Sequence, residues 1–193
     1  MMDLGRIVEY DAELINAEGQ AAAVLVPIVR HDEVPHLLLT KRAESLPKHP
    51  GQMSFPGGRR EPFDRDHRET AIREANEEIG VRPDHIELVG RLDDIITTTN
   101  FVVTPVVAEV PNRQYDPNDR EVAEVTIIPI DSFLDPSSYE HEFREGSNGD
   151  SYRVHYFHVE PHVVWGATAR IVVQFLDLTT EWSVPDVLTD TPD

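Results

Sequence analysis

The chain contains no cysteine, which excludes disulfides and thiolate metal sites at once. Lysine is almost missing: Lys41 and Lys48 are the only two, and the other basic residues are arginines. Positive charge is scarce altogether, because 36 Asp and Glu against 17 Lys and Arg leave a formal net charge of −19. A surface of that sign repels phosphate backbones and excludes a general nucleic-acid binder. Long apolar runs are lacking too. The longest, AAAVLVPIV at 21–29, falls well short of the roughly 20 residues a membrane-spanning helix needs. MMDLGRIVEY has no apolar stretch of signal-sequence type. A cytoplasmic protein without a membrane partner is therefore expected.

At 193 residues with no internal repeat, the chain fits a single domain, 1–193, with a substantial core. AAAVLVPIVR and HLLLTKR read as two buried strands joined by the polar turn HDEVP. The Pro- and Gly-rich stretch PKHPGQMSFPGG follows. Further strand-like runs are IELVGRLDDII, FVVTPVVAEV and EVAEVTIIPI, and SNGD at 147–150 signals a hairpin between SYEHEFRE and SYRVHYFHV. WGATARIVVQFLDL has helical periodicity, and the terminal TDTPD is expected to fray. Strands on both sides of one helix, with a second helix near the end, predict an α/β fold.

The segment REANEEIG at 73–80 crowds three glutamates into six positions. Asp66 with Glu69 reads as an N-cap and capping box, and Gly80 with Pro83 reads as a stop. Ala71, Ile72, Ala75 and Ile79 share one apolar face. Glu74 and Glu78 lie one turn apart, with Glu77 beside them, and like charges at that spacing destabilise a helix by about 0.2–0.5 kcal/mol per pair. Arg73 can relieve Glu77 through an i,i+4 contact, whereas Glu74 and Glu78 have no evident partner within the helix. The plain reading is a solvated helix face. The alternative is a divalent cation held by carboxylate oxygens, and the hard-ligand chemistry points to Mg²⁺ or Mn²⁺.

FPGGRREPFDRDHRETAIREANEEIGV resembles the Nudix box, here spanning 58–81. Arg73, Glu74, Ala75, Glu77, Glu78, Gly80 and Val81 match the second half of that pattern. In the first half, Asp64 stands where the family has glutamate, and eight residues rather than seven separate it from Arg73. This longer, Asp-bearing form is similar to the coenzyme A pyrophosphatase subgroup. The subgroup's upstream signature is matched by Leu38, Leu39, Thr40, Arg42, Gly51, Phe55, Pro56, Gly57 and Gly58 in LLTKRAESLPKHPGQMSFPGG. Its second arginine falls on Pro47, with Lys48 adjoining. The resemblance covers about residues 20 to 180 and implies a Nudix fold, an α/β/α sandwich with a mixed β-sheet.

The resemblance also implies hydrolysis of the coenzyme A pyrophosphate to 3′,5′-ADP and 4′-phosphopantetheine. By it, Glu74, Glu78, Glu77 and the Gly57 carbonyl hold the metal, Arg73 orients the carboxylates, and Glu121 is a further ligand or base. Lys41, Arg42, Lys48, Gly58 and Arg59 are the candidates for the substrate phosphates, Arg42 first because it belongs to the subgroup signature. The basic residues between 41 and 68 gather much of a scarce charge, and such a field draws in a polyanion that the rest of the surface repels. His155, His158 and His162 read as structural or exposed, since strand alternation turns 155 and 158 to opposite faces. Trp165 reads as core or turn packing. ADP-ribose, NADH and nucleoside triphosphates remain alternative substrates, and a non-catalytic Nudix-fold binding module is an alternative of another class. A homodimer is left open.

Many solvated acids with few lysines also suggest adaptation to high salt, the plainer reading being an ordinary acidic protein. Self-repulsion at −19 destabilises the compact state when screening is weak, and the Debye length shortens from about 8 Å at physiological ionic strength to about 3 Å at 1 M. The melting temperature is thus expected to rise substantially from low salt to molar KCl. A flat or falling profile in a thermal scan would remove the salt-adaptation reading.

Overall fold

The computed structural model describes residues 2–15, 20–46, 49–146 and 149–185. Its centre is a long strand, β1 (Gln20–His31), whose residues alternate between two buried faces. Ala23, Leu25 and Val29 point into one core, and Val26 and Ile28 into the other. β2 (Val34–Arg42) returns antiparallel to β1 after the Asp32–Glu33 turn and repeats the pattern, with Leu38 on the first side and Leu37 and Leu39 on the second. Fully burying side chains of this kind contributes roughly 1.5–3 kcal/mol each. A strand buried on both faces is a central strand, and AAAVLVPIV is apolar throughout for that reason.

β1 pairs in parallel with β7 (Phe101–Val110), while its other pairings are antiparallel, so the sheet is mixed. The order β3–β2–β1–β7–β5 is formed with β3 (Met53–Ser54) and β5 (Glu87–Arg91). β4 (Gly57–Arg59) pairs with β1, β6 (Ile95–Ile96) with β7, and β8 (Val122–Pro129) with β2. The run expected as one strand, IELVGRLDDII, is divided between β5 and β6. Asp93 and Asp94 interrupt it because their carboxylates are engaged elsewhere. Asp93 accepts from the Tyr10 hydroxyl and the Glu13 N–H, and buried Asp94 accepts from Ile15 N–H and the Thr104 hydroxyl. These bonds tie the amino-terminal segment, which carries the short helix α1 (Gly5–Val8) and its buried Ile7, onto the domain.

Helix α2 (His67–Ile79) covers one face of the sheet through Ala71, Ala75 and Ile79. Asp66 caps it by accepting from the Glu69 N–H at 3.0 Å, and Gly80 ends it in the left-handed conformation at φ 67°. The expected capping box is only half made: the Glu69 carboxylate takes the N–H of Arg65, not that of Asp66. The opposite face is covered by α4 (Gly166–Thr179), through Ala169, Val172, Phe175 and Leu176. That second layer also holds a three-stranded antiparallel sheet of β9 (Tyr139–Glu145), β10 (Ser151–Val159) and β11 (His162–Trp165), reached through the short helix α3 (Ile130–Leu134). The sandwich is thus α/β/α with an added small sheet. The SNGD hairpin joins β9 to β10, closed by Gly146 N–H to Asp150 O at 2.7 Å, although Ser147 and Asn148 lie outside the described residues. TDTPD lies outside them too. Among the described residues no helix is long and apolar enough to cross a membrane.

His155 on β10 is buried, with the Tyr139 hydroxyl 2.7 Å from its Nδ1. Burial first, then the positive field of Arg153, pushes its pKa down to about 4. The folded state therefore binds fewer protons than the unfolded state between pH 4 and the ordinary histidine value near 6.5. His155 contributes stability above that window, and the contribution is lost as pH falls through it. Denaturant titrations across this range should give a shallower slope for His155→Asn, which keeps an acceptor for Tyr139 but cannot titrate. Parallel slopes would exclude the effect.

Candidate active site

Arg73 organises the acidic helix. Its Nε and Nη2 donate to the two oxygens of Asp64 at 3.1 and 3.0 Å, a bidentate fork. Nη1 donates to Glu74 at 2.9 Å and Glu77 at 3.2 Å, and Nη2 also reaches the Arg59 carbonyl at 2.9 Å. The expected i,i+4 contact to Glu77 is present. The expectation that Glu74 has no partner within the helix is corrected: the neighbouring Arg73 takes it, because Asp64 draws the guanidinium back across the helix face. Asp64 is 5% exposed and also accepts from the Thr70 hydroxyl and the Glu61 N–H. The Arg73 bond, above all, holds its carboxyl down to about 2. Asp64 is thus a buried anchor of the loop before α2, reaching Arg73 despite the one-residue-longer spacing.

Glu74 and Glu78 project toward the glycine pair on β4. Gly57 N–H donates to Glu78 Oε2 at 3.3 Å. A Cβ on Gly58 would stand 2.6 Å from the Glu74 carboxylate, and one on Gly57 would stand 2.4 Å from the Ala23 carbonyl. At Gly57 only glycine permits β4 to lie this close to β1, and at Gly58 a side chain would displace the Glu74 carboxylate. Glu78 is 6% exposed. Burial pushes its pKa up to about 8, Glu74 adds to the rise, and the Gly57 N–H and Arg42 oppose it. Glu74 is raised as well, first by burial, with Arg73 working against the shift. Glu77 remains largely exposed.

Among the described residues no three His, Asp or Glu side chains close around a metal position. The donor set nonetheless suits a hard divalent cation. Two half-buried to buried carboxylates share one glycine-floored corner, and a cation between them offsets both the burial cost and their repulsion.

Glu121 stands in the turn before β8, exposed, and its charge contributes to raising both Glu74 and Glu78. The turn is held by Asn118 N–H to the Glu78 carbonyl and by Ala43 N–H to the Glu121 carbonyl, each 2.9 Å. Arg42 closes β2 on the other side, and its Nε is buried without a hydrogen-bond partner among the described residues. Arg42 and Gly57 line a cavity of about 820 Å³. Lys41, one residue earlier on β2, instead lines a neighbouring cavity of about 490 Å³, the pairing of β2 with β8 shifting register between the two residues. Arg59 is exposed and lies over the Phe101 ring at 4.8 Å. The fold thus gathers Glu74, Glu77, Glu78, Arg73, Gly57, Gly58 and Glu121, brings Arg42 near, and leaves Lys41 and the Arg59 side chain to the periphery. Lys48 and Pro47 lie outside the described residues.

Trp165 packs at the junction of β11 and α4. The ring is half-buried, stacks on Tyr156 with centroids 6.2 Å apart and 9° between planes, and borders both cavities. Of the histidines, His158 is exposed beside Glu140, and His162 adjoins Glu124 at 3.5 Å. Sequence reasoning missed Arg144, Arg153 and Arg170, which also line the large cavity. The available signal was the scarcity of positive charge, which makes each arginine in a late hairpin or helix informative.

A model of the NUDIX domain matches residues 19–162. The chain is 41% identical over 152 residues to an uncharacterized Nudix hydrolase NudL of Enterobacter sp. (strain 638), covering 78% of each chain. It is 39% identical over 158 residues to its counterpart in Yersinia pestis (strain Pestoides F), covering 81% of this chain and 78% of that one. Among solved structures, a Nudix hydrolase from M. smegmatis, RenU, superposes with a TM-score of 0.51 at 22% identity, over 60% of this chain and 74% of that one. The acidic helix, its glycine floor and the mixed sheet beneath them are those of the Nudix family, to which this chain belongs.

Proposed function

We propose that the chain is a metal-dependent hydrolase of the diphosphate in coenzyme A or its derivatives, releasing 3′,5′-ADP and 4′-phosphopantetheine. The observation that carries this reading is the meeting of two motifs at Gly57, on the edge of one cavity. Arg42, Phe55 and Gly57, from the stretch that resembles the coenzyme A pyrophosphatase signature, line the large cavity, and Gly57 is bonded to Glu78 of the acidic helix. Arg42 brings a buried donor without a protein acceptor to that boundary, where a diphosphate oxygen would complete it.

Glu74 and Glu78 would hold Mg²⁺ or Mn²⁺, with Glu77 and the Gly57 carbonyl as further donors. The bound cation supplies charge neutralisation at the diphosphate and activation of water. Arg73 keeps Glu74 and Glu77 oriented and is itself fixed by Asp64, so the carboxylates need not reorganise during turnover. Arg42 steadies the diphosphate for in-line attack. Glu121, on a turn docked to α2, is the group we assign to accept the proton of the attacking water.

Glu78→Gln and Glu74→Gln keep the side-chain shape but remove a charge. Each should lower kcat by about three orders of magnitude, since metal charge stabilisation is worth several kcal/mol. Arg73→Lys should cost about 10–100-fold. Wild-type protein in excess Mn²⁺ should melt above the same protein in EDTA, by about 2.7 kcal/mol of stabilisation at a hundredfold excess over Kd. Glu78→Gln should lose most of that gain. Variants that turn over normally and keep the metal-dependent shift would refute the metal assignment.

Product analysis by mass after incubation with Mg²⁺ or Mn²⁺ tests the substrate. Coenzyme A is expected to exceed ADP-ribose and NADH in kcat/KM and to yield the two products named above. A clear preference for ADP-ribose would replace the coenzyme A reading and leave diphosphate hydrolysis standing.

A further inference from the structure

The large cavity has a charge composition opposite to that of the protein. Its lining holds four arginines, Arg42, Arg144, Arg153 and Arg170, with His49 and His155, and no Asp or Glu among the described residues. The chain as a whole has 36 acids and 17 lysines and arginines, so an acid-free lining is a local inversion of composition.

These arginines are not equivalent. Arg42 belongs to the wall formed by β2 and β4, beside Gly57 and within the field of Glu78. Arg144 is neutralised by Glu142 and also donates to the Tyr156 hydroxyl. Arg153 and Arg170 come from a different wall, built by β10 and the first turns of α4. Both are exposed. Arg153 lies over the Phe143 ring at 5.3 Å, which orients its guanidinium without neutralising it. The Arg170 side chain, on the same lining, has no hydrogen bond or ion pair among the described residues. Both lie near enough to His155, itself buried between their elements, for their charges to act on its ring. Arg153, Arg170 and His155 line the same cavity, and an anion seated there is attracted by both guanidiniums.

We propose that Arg153 and Arg170 form a second anion subsite, which binds a phosphate monoester carried by the substrate in addition to the diphosphate that is cleaved. A monoester near neutral pH carries close to two negative charges and three acceptor oxygens. Two arginine forks match that chemistry better than one lysine does. Taken with the coenzyme A reading above, on which this identification of the group rests, the phosphate is the one on the 3′ position of the ribose. The subsite then explains how a chain with Pro47 at the subgroup's second arginine could distinguish coenzyme A from dephospho-coenzyme A.

The test measures kcat/KM for coenzyme A and 3′-dephospho-coenzyme A in wild type and in Arg153→Ala, Arg170→Ala and the double variant. A charged hydrogen bond contributes enough for a wild-type ratio of about ten- to a hundredfold in favour of coenzyme A. In the double variant that ratio should collapse toward one, chiefly through KM for coenzyme A. A ratio that survives the double substitution overturns the subsite. A binding measurement without metal separates this outcome from failure of the hydrolase reading. Wild type should bind adenosine 3′,5′-bisphosphate about ten- to a hundredfold more tightly than 5′-AMP, and the double variant should bind the two alike. Should coenzyme A prove not to be cleaved while the bisphosphate preference depends on these arginines, the function proposed above fails and the subsite stands. Equal affinities in wild type overturn the subsite whatever the substrate.

Discussion

One guanidinium holds the site together. Arg73 bonds the loop before the helix through Asp64, the helix's own acids through Glu74 and Glu77, and strand β4 through the Arg59 carbonyl. An arginine is suited to this because its planar fork donates in several directions at once and stays charged at any pH the protein meets. Its own pKa is pushed further up, chiefly by the Asp64 bond. Without that pairing the buried Asp64 carboxylate would keep only the Thr70 hydroxyl and the Glu61 N–H, and the loop's hold on α2 would weaken. Glu74 would lose the partner that works against the upward push of burial on its carboxyl. The loop, helix and strand that border the glutamates are therefore positioned by a single cation.

The second constraint is steric. Gly57 and Gly58 let β4 pass between β1 and the glutamates, where a side chain on either residue would collide with the Ala23 carbonyl or the Glu74 carboxylate. This close passage brings the backbone N–H of Gly57 to Glu78 and makes the same glycine part of the cavity wall. Packing, acid placement and cavity shape are thus coupled at two residues. Charge is also segregated across this boundary, with carboxylates on the helix side and arginines on the cavity side. For a strongly acidic protein that handles a polyanion, such segregation creates a local field the overall charge would oppose.

Much of the architecture was legible because it depends on local pattern. The alternation in β1 and β2, the Asp66 cap, the Gly80 stop and the apolar stripe of α2 each follow from spacing and residue type. Where expectation and structure diverged, a competing contact or the local strand geometry intervened. The capping box shifted because Glu69 found Arg65 as well as a backbone N–H. The run after Glu87 divided because Asp93 and Asp94 bind the amino-terminal segment some 80 residues earlier. Lys41 and Arg42, adjacent and equally basic, line different cavities, with a register shift between them.

The sequence by itself determined the identity and order of the acids on α2, the glycines facing them and the scarcity of positive charge. Those features are set by residue type and by spacing along one element. It could not determine that Asp64, nine positions before Arg73, would close the guanidinium fork, since that depends on how a loop folds back. Nor could it bring Arg42 of β2, Arg153 of β10 and Arg170 of α4 to one cavity. Their elements meet only because both faces of β1 are apolar and must each be covered. Burial on those two faces chose which layers came together, and the meeting of the layers decided which charges share a site.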